Sequence, residues 1–322
     1  VCRTGAREWR VQAPIIPPHI PIQWGALTIP VKAINKYSIL HTPIPKQYLY
    51  VYLVQKLPAR YTFPIFNLRG NMMIYLTNNE RLRLMKPIKK TVQTYGMIEK
   101  GDRVAIGLSG GKDSSTLLYL LTALQKQLPF PFEIIPITLT LGFEGVDLSP
   151  MKEFVSRLGY DLHIQETTIG QVVFDIRKEK NPCSLCANMR RGTLYEYAAS
   201  LGCNKVALGH HLDDGLETFF MNLLYNGKMG TFQPKTYLDR SNITIIRPLI
   251  AIEEEKIIKF VQAKNIPVIH NPCPANKKTK REEVKDLVKG LSIQYPDLRQ
   301  KFLHGVSHVE LQDFWNIDEE KS

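Results

Sequence analysis

Apolar positions become regular from about residue 78, where two different periods alternate along the chain. Short runs rich in β-branched residues predict buried strands at 103–108, 132–141, 162–165, 205–208 and 243–246. Positions with helical spacing predict helices at 81–95, 114–128, 149–158, 186–201, 213–225, 253–264 and 278–291. Strands that alternate with helices form parallel βαβ units. We therefore predict an α/β fold with a doubly wound parallel sheet, helical additions at both ends, and a binding site at the carboxyl ends of the strands.

Residues 1–71 lack a sustained period apart from the short apolar run 48–54, and nine of the 21 prolines lie there. They carry nine Lys and Arg against one acid, so +8 of the net charge of +12 falls in this segment. We predict a poorly ordered, basic, Pro-rich extension. A transit peptide is the alternative, although such peptides are usually Ser-rich and amphipathic. All eight methionines lie at or after Met72, so a native start at Met72 or Met73 is a further hypothesis.

The remaining chain divides into a basic helical segment (72–100), a central α/β domain (101–270) and a C-terminal helical segment (271–322). No stretch has the roughly 18 to 20 apolar residues of a membrane-spanning helix, so we expect a cytoplasmic protein without a membrane partner. The charge of +12 favours a polyanionic partner. Five cysteines are an odd number, which indicates a reducing compartment rather than a disulfide scaffold.

The strongest motif lies between the first predicted strand and the next helix, where residues 108–114 read Leu-Ser-Gly-Gly-Lys-Asp-Ser. Glycines let backbone N–H groups turn toward an anion, and a helix N-terminus adds partial positive charge. The segment therefore predicts a phosphate-binding loop, with a simple serine-capped turn as the alternative. Its spacing matches neither a Walker loop nor a dinucleotide-binding fingerprint.

An acidic segment follows the fourth predicted strand, where residues 209–218 read Gly-His-His-Leu-Asp-Asp-Gly-Leu-Glu-Thr. Carboxylates at the end of a parallel strand, opposite a phosphate loop, suit Mg²⁺ bound between protein and nucleotide oxygens. Asp213 and Asp214 are the candidates. Taken singly, either one is also explained as a helix cap, and His211 as a structural histidine.

Three cysteines are candidate metal ligands. Cys183 and Cys186 have the C-x-x-C spacing, and Cys273 lies 87 residues after Cys186. This pattern is compatible with zinc, for which His270 would be the fourth ligand, with a redox pair, or with an iron–sulfur cluster that leaves one iron open. The spacing alone leaves these alternatives open.

The loop 108–114 resembles the signature of the ATP pyrophosphatase (PP-loop) superfamily, whose members cleave ATP to AMP and pyrophosphate and adenylate a substrate oxygen. The resemblance implies the PP-loop fold, also called the adenine nucleotide α-hydrolase fold, and the use of ATP and Mg²⁺. It implies catalytic roles for Lys112, Asp113, Asp213 and Asp214. The implied nucleotide-binding residues are Ser109, Gly110, Gly111, Lys112, Asp113, Ser114, Gly209 and His210.

A narrower resemblance comes from the cysteines, the Met-Arg-Arg-Gly at 189–192, the segment 225–229 and the Arg-Pro-Leu at 247–249. Together they are similar to the tRNA 2-thiocytidine synthetase family over about residues 81–308. In that family a [4Fe–4S] cluster on three cysteines delivers sulfur to C2 of cytidine 32 of certain tRNAs. The resemblance implies Cys183, Cys186 and Cys273 as cluster ligands. It also implies tRNA as the substrate, a cysteine desulfurase or other sulfide donor, and a homodimer as the candidate assembly.

Two features depart from that family. The segment 271–276 holds a single cysteine, and Glu217 is closer to the lysidine synthetases. Lysidine synthetases have no need for three cysteines, and 2-thiouridine synthetases carry C-x-x-C zinc pairs near both ends. A persulfide relay through the C-x-x-C pair is the alternative to cluster-bound sulfide. A zinc-stabilised RNA-binding protein with a degenerate nucleotide site is the alternative from another functional class.

Basic residues flank the predicted site and are candidates for binding RNA phosphates. They are the helix 81–90, Arg190, Arg191, Lys277, Lys278, Lys280 and Arg281. Each group alone is also explained as a solvated helix face. As a set they predict a tRNA-binding surface.

Overall fold

The structure is a computed structural model that describes residues 74–143, 145–177, 182–269, 273 and 280–310. The predicted extension 1–71 lies outside these residues. The described part contains a six-stranded sheet, with the strands β1 Arg103–Gly107, β2 Glu133–Leu139, β3 His163–Gln165, β4 Lys205–Ala207, β5 Lys235–Leu238 and β6 Ile243–Ile246.

Helices connect and flank these strands. In chain order they are α1 (Asn78–Glu80, a π-helical turn Arg81–Met85, and Lys86–Thr94), α2 (Lys112–Gln125), α3 (Ser149–Arg157), α4 (Ile169–Gln171 with a π-helical turn Val172–Ile176), α5 (Pro182–Ser200), α6 (Leu212–Asn226), α7 (Glu254–Lys264), α8 (Lys280–Gln294) and α9 (Leu298–Ser307). None of the described helices is long and apolar enough to span a membrane.

The strand order is β3-β2-β1-β4-β6-β5, and all pairs except β5 with β6 are parallel. This arrangement confirms the predicted doubly wound parallel sheet. From β1 the chain first builds outward through β2 and β3, and then returns to add β4 and β6 on the other side, so the direction of the strand order reverses between β1 and β4. Such a reversal opens a crevice at the carboxyl ends of the two strands, where doubly wound proteins bind ligands.

The sheet is covered on both faces because its strands alternate their side chains. Val104 and Ile106 of β1 pack with α1, α2 and α7, whereas Ala105 packs with α5. All three β1 side chains are fully buried, which explains the continuous apolar run in the sequence. A third cluster joins α6 to α8 through Leu216 and Val284, and Phe302 of α9 packs against it. The C-terminal helices therefore belong to the folded body that carries the crevice.

Three elements were not predicted from the sequence pattern. They are the edge strand β5, the short helix α4 and the last described helix α9. β5 pairs antiparallel with β6 and is half exposed along its length, so it lacks the apolar run of a central strand. Helix α2 begins at Lys112, two residues before the predicted start, because Gly111 is its N-cap.

Candidate active site

Serine hydroxyls hold the loop between β1 and α2. Ser109 N–H donates to Ser114 Oγ at 3.2 Å, and Ser114 Oγ donates to the Gly111 carbonyl at 3.1 Å. Gly111 N–H donates to Ser109 Oγ at 3.3 Å. Gly110 has a φ of 81°, in the left-handed region that favours glycine. The loop therefore turns tightly into α2 and brings the helix N-terminus to the carboxyl end of β1, an arrangement that binds anions.

The acidic segment packs directly against this loop. Gly209 follows β4, the neighbour of β1 in the sheet. A Cβ atom at Gly209 would lie 2.9 Å from the backbone carbon of Asp113 and from the backbone nitrogen of Ser114. A side chain there would displace the loop, so glycine is required for this close approach. The two predicted motifs thus form one site where the strand order reverses.

His211 of the acidic segment faces the loop and is the N-cap of α6. Asp214 N–H donates to His211 Nδ1 at 3.4 Å, and His211 N–H donates to Asp214 Oδ2 at 3.0 Å. His211 Nε2 is 3.7 Å from Asp113 Oδ1, which is beyond hydrogen-bond distance. That buried Asp113 oxygen has no hydrogen-bond partner within the described part of the chain. A carboxylate oxygen left free beside a phosphate loop fits a Mg²⁺ ligand.

The carboxylates of Asp213 and Asp214 accept hydrogen bonds from arginine side chains and from backbone N–H groups. Asp213 is buried, its Oδ1 accepts from Arg299 Nε at 2.6 Å, and its Oδ2 accepts from Glu254 N–H at 2.7 Å. Asp214 Oδ1 accepts from Arg281 Nη2 at 2.7 Å. Asp213 therefore fixes the starts of α7 and α9 relative to α6. Arg299 and Glu254 were missed in the sequence because they lie 86 and 41 residues from Asp213.

Arg281 also binds the third acid of the segment. Its Nε donates to Glu217 Oε2 at 3.1 Å. Burial raises the pKa of Glu217, and the positive charge of Arg281 opposes that rise only in part. Arg281, predicted to bind RNA, thus anchors the start of α8 to the acidic segment of α6.

Lys112 is held between two carboxylates. Its Nζ lies 2.8 Å from Glu254 Oε1 and 3.1 Å from Asp113 Oδ2. Burial alone would lower the pKa of Lys112, but the hydrogen bond to Glu254 and the charge of Asp113 outweigh it and raise the pKa. Burial also opposes ionisation of Glu254, yet the Lys112 hydrogen bond and charge lower its pKa to about 2. Lys112 and Glu254 are therefore both charged at neutral pH, and the ammonium group is fixed beside the loop.

His210 packs against Phe232, and Arg247 lies over the same phenylalanine ring. The ring centroids of His210 and Phe232 are 5.0 Å apart, and Arg247 Cζ lies 5.0 Å from the centroid of Phe232. Burial lowers the pKa of His210 to about 4, although the charge of Asp214 partly opposes this. Its Nδ1 has no hydrogen-bond partner among the described residues. A neutral imidazole with a free ring nitrogen can form one hydrogen bond to a ligand, as the nucleotide-binding assignment requires.

Helix α5 carries two of the three candidate metal-binding thiols. Cys183 is exposed, while Cys186 and Cys273 are half-buried. Burial raises the pKa of Cys186, Arg190 partly opposes this, and the thiols of Cys273 and Cys183 raise it further. Cys186 therefore lies within electrostatic reach of both other thiols. Three cysteines fit a [4Fe–4S] cluster in kind and number. Among the described residues, no three His, Cys, Asp or Glu side chains lie close enough together to bind one metal ion. His270, the alternative zinc ligand, is not among the described residues.

The predicted RNA-binding residues fall into different environments. Lys277 and Lys278 lie outside the described residues. Lys280 Nζ lies 4.5 Å from the centre of the Tyr225 ring, which is a cation–π distance. On α5, Arg190 is half-buried and Arg191 is exposed. Contact of these residues with tRNA stays a prediction.

The sheet, the loop and the acidic segment define the class of this protein as an ATP-binding PP-loop protein. The PP-loop domain family matches residues 79–290, a range that includes both motifs and all three candidate thiols. The chain belongs to this family, as the loop motif predicts.

Comparison with individual relatives assigns the chain to a narrower family within the PP-loop proteins. The chain is 37% identical to the tRNA-cytidine(32) 2-sulfurtransferase of Pelobacter propionicus, over 70% of this chain and 86% of that protein. It is 39% identical to the protein of the same name from Haemophilus ducreyi, over 77% of this chain and 79% of that protein. The structure of the U34-tRNA thiolase NcsA from Methanococcus maripaludis, solved with its [4Fe–4S] cluster, matches with a TM-score of 0.56 at 26% identity. This match covers 70% of this chain and 79% of NcsA. The chain belongs to the tRNA-cytidine(32) 2-sulfurtransferase family, which confirms the narrower resemblance.

Proposed function

We propose that this protein is an ATP-dependent tRNA sulfurtransferase that replaces the C2 oxygen of a cytidine with sulfur, at position 32 by family resemblance. The observation that carries the proposal is the single site built from the phosphate loop and the acidic segment, which meet at Gly209. Three thiols in the same matched domain support a sulfur-transfer reaction. The names of the relatives support tRNA as the substrate.

In the first step, the C2 oxygen of the cytidine attacks the α-phosphorus of ATP. The bond from that phosphorus to the bridging oxygen breaks, and pyrophosphate leaves. The amides of residues 109–114 and the Lys112 ammonium, held by Glu254, stabilise the negative charge that develops on the phosphates. The free oxygen of Asp113 would hold Mg²⁺, which neutralises phosphate charge when bound. Asp213 contributes indirectly, because it accepts a hydrogen bond from the Glu254 backbone N–H and so positions the side chain that holds Lys112.

In the second step, sulfide attacks C2, the bond from C2 to the oxygen breaks, and AMP leaves with that oxygen. A [4Fe–4S] cluster held by Cys183, Cys186 and Cys273 would supply the sulfide at an iron that no cysteine occupies. A cysteine desulfurase or another sulfide donor would replenish it. The raised pKa of Cys186 keeps its thiol protonated at neutral pH in the absence of metal. Either role, metal ligand or nucleophilic sulfur carrier, requires the thiolate, so the pKa does not discriminate between them and the metal analysis below does.

The test is anaerobic purification followed by assays of ATP cleavage and tRNA thiolation. We expect iron and acid-labile sulfide in the protein, tRNA-stimulated formation of AMP and pyrophosphate, and 2-thiocytidine in nuclease digests analysed by mass spectrometry. Stoichiometric zinc without iron would contradict the cluster and support a zinc site. A product other than 2-thiocytidine, such as 2-thiouridine or lysidine, would contradict the assigned reaction.

A further inference from the structure

A groove of 2060 Å³ lies beside the proposed site, bounded by α1, α6, α9 and the segment 229–234. Four cations line the α1 side, namely Arg81, Lys86, Lys89 and Lys90. The described residues that line the groove include no Asp or Glu. A lining with four cations and no acid favours a polyanion.

The size of the groove and its aromatic lining residues narrow the class of ligand. A volume of 2060 Å³ is about twice the roughly 1,000 Å³ upper range of small-molecule sites. Aromatic rings line the same groove, and Tyr95, at the end of α1, is 37% exposed. Phe219 and Phe302 pack edge to face on the opposite wall, with ring centroids 5.6 Å apart. Cations along one wall and an exposed ring beside them are the two features with which proteins bind unpaired nucleic acid.

We propose that this groove, formed by the α1 cations, Tyr95 and α9, binds a segment of the tRNA substrate. The lysines of α1 contact RNA phosphates, and an unpaired base stacks on Tyr95. The inference rests on the proposed function and adds to it the surface that receives the substrate. Phe232 lines the groove and its ring contacts His210 of the proposed site, so the groove and the site share a wall.

RNA is a better occupant than a second copy of the chain. The chain carries a net charge of +12, of which +8 lies in residues 1–71, so a second copy offers no excess of acidic groups to pair with the four cations. An RNA segment instead releases condensed counterions for each phosphate that a lysine neutralises.

The first experiment reverses charge on the groove with Lys86→Glu combined with Lys90→Glu, both exposed positions on α1. The matched control is Lys152→Glu combined with Lys289→Glu, which makes the same charge change at exposed positions outside the groove. Filter binding of tRNA is measured at several salt concentrations. We expect the groove variant to bind at least about tenfold more weakly, and its log–log salt slope to fall by about 1.4 to 1.8, as for two lost phosphate contacts. The KM for ATP should not change.

The second experiment separates base stacking from charge. Tyr95→Ala should weaken tRNA binding several-fold, whereas Tyr95→Phe retains a ring and should bind as the wild type does. Tyr237→Ala is the control, because Tyr237 is also exposed and lies outside the groove.

The outcomes distinguish the groove from the proposed function. Groove variants that match the control in affinity and salt slope, while the wild type thiolates tRNA, overturn the groove and leave the function in place. Weaker binding by the groove variants supports the groove even if the wild type forms no 2-thiocytidine, a result that contradicts only the proposed function. A changed sedimentation coefficient with unchanged tRNA affinity would assign the groove to protein association and overturn the inference.

Discussion

Glu254→Gln tests whether Glu254 positions Lys112, because it removes the charge and keeps the shape of the side chain. The pKa of Glu254 is about 2 instead of the ordinary 4.5. A fall of this size corresponds to a net interaction of roughly 3 kcal/mol with all neighbouring groups, of which Lys112 contributes the largest favourable part, at about 1.4 kcal/mol for each tenfold change in proton affinity. The side chains of Lys112 and Glu254 are 27% and 19% exposed, and solvent screening reduces this upper bound to about 1 to 2 kcal/mol. We therefore expect kcat/KM for ATP to fall roughly 5- to 30-fold.

The assay is tRNA-dependent AMP formation over a range of ATP concentrations. Glu255→Gln is the matched control, because Glu255 is the next residue of α7 and pairs with Lys259 on the exposed surface. Folding lowers the pKa of Glu254, so its stabilising contribution is present above about pH 4.5 and is lost as the pH falls toward 2. Thermal unfolding of Glu254→Gln should accordingly lose part of the acid sensitivity of the wild type. Equal kcat/KM for ATP in the two variants would refute the positioning role.

Other perturbations test the remaining parts of the site. Asp113→Ala should abolish AMP formation and leave the iron content unchanged, and normal AMP formation by this variant would disprove the loop assignment. Gly209→Ala places a methyl group 2.9 Å from the loop backbone, so we expect ATP affinity to fall by about 1 to 3 kcal/mol, as measured by calorimetry. Cys186→Ala should lose the cluster absorbance and thiolation, whereas Cys203→Ala, a change in the buried core, should retain both. Deleting residues 1–71 should leave kcat and KM unchanged, because every contact described for the site is made by later residues; loss of activity would show that the deleted segment contributes.

The sequence predicts the sheet and both motifs well because these features are local. A buried parallel strand shows as a continuous apolar run, and a phosphate loop has its residues in one short segment. The packing of Gly209 against Asp113 follows once β1 and β4 are placed side by side, and topology rules predict that placement.

The rest of the site depends on contacts across the fold. Arg281 lies 67 residues from Asp214, and Arg299 lies 86 residues from Asp213, so no spacing rule connects them. Glu254 follows the strand β6 and reads in the sequence as an ordinary acid at a helix start. Only the folded chain shows that its side chain faces Lys112.

The ion pair between Arg299 and Asp213 makes assembly of the site depend on late synthesis. Domains begin to fold from the N-terminal side while the chain is being made, so the loop and the acidic segment emerge from the ribosome well before α9. Until Arg299 arrives, the buried Asp213 carboxylate lacks the guanidinium that compensates its charge, and an uncompensated buried charge costs about 3 to 5 kcal/mol. A nascent or C-terminally clipped chain should therefore hold an incomplete nucleotide site. We therefore expect competence for ATP to depend on docking of the distal helices, so that activity follows the integrity of the chain.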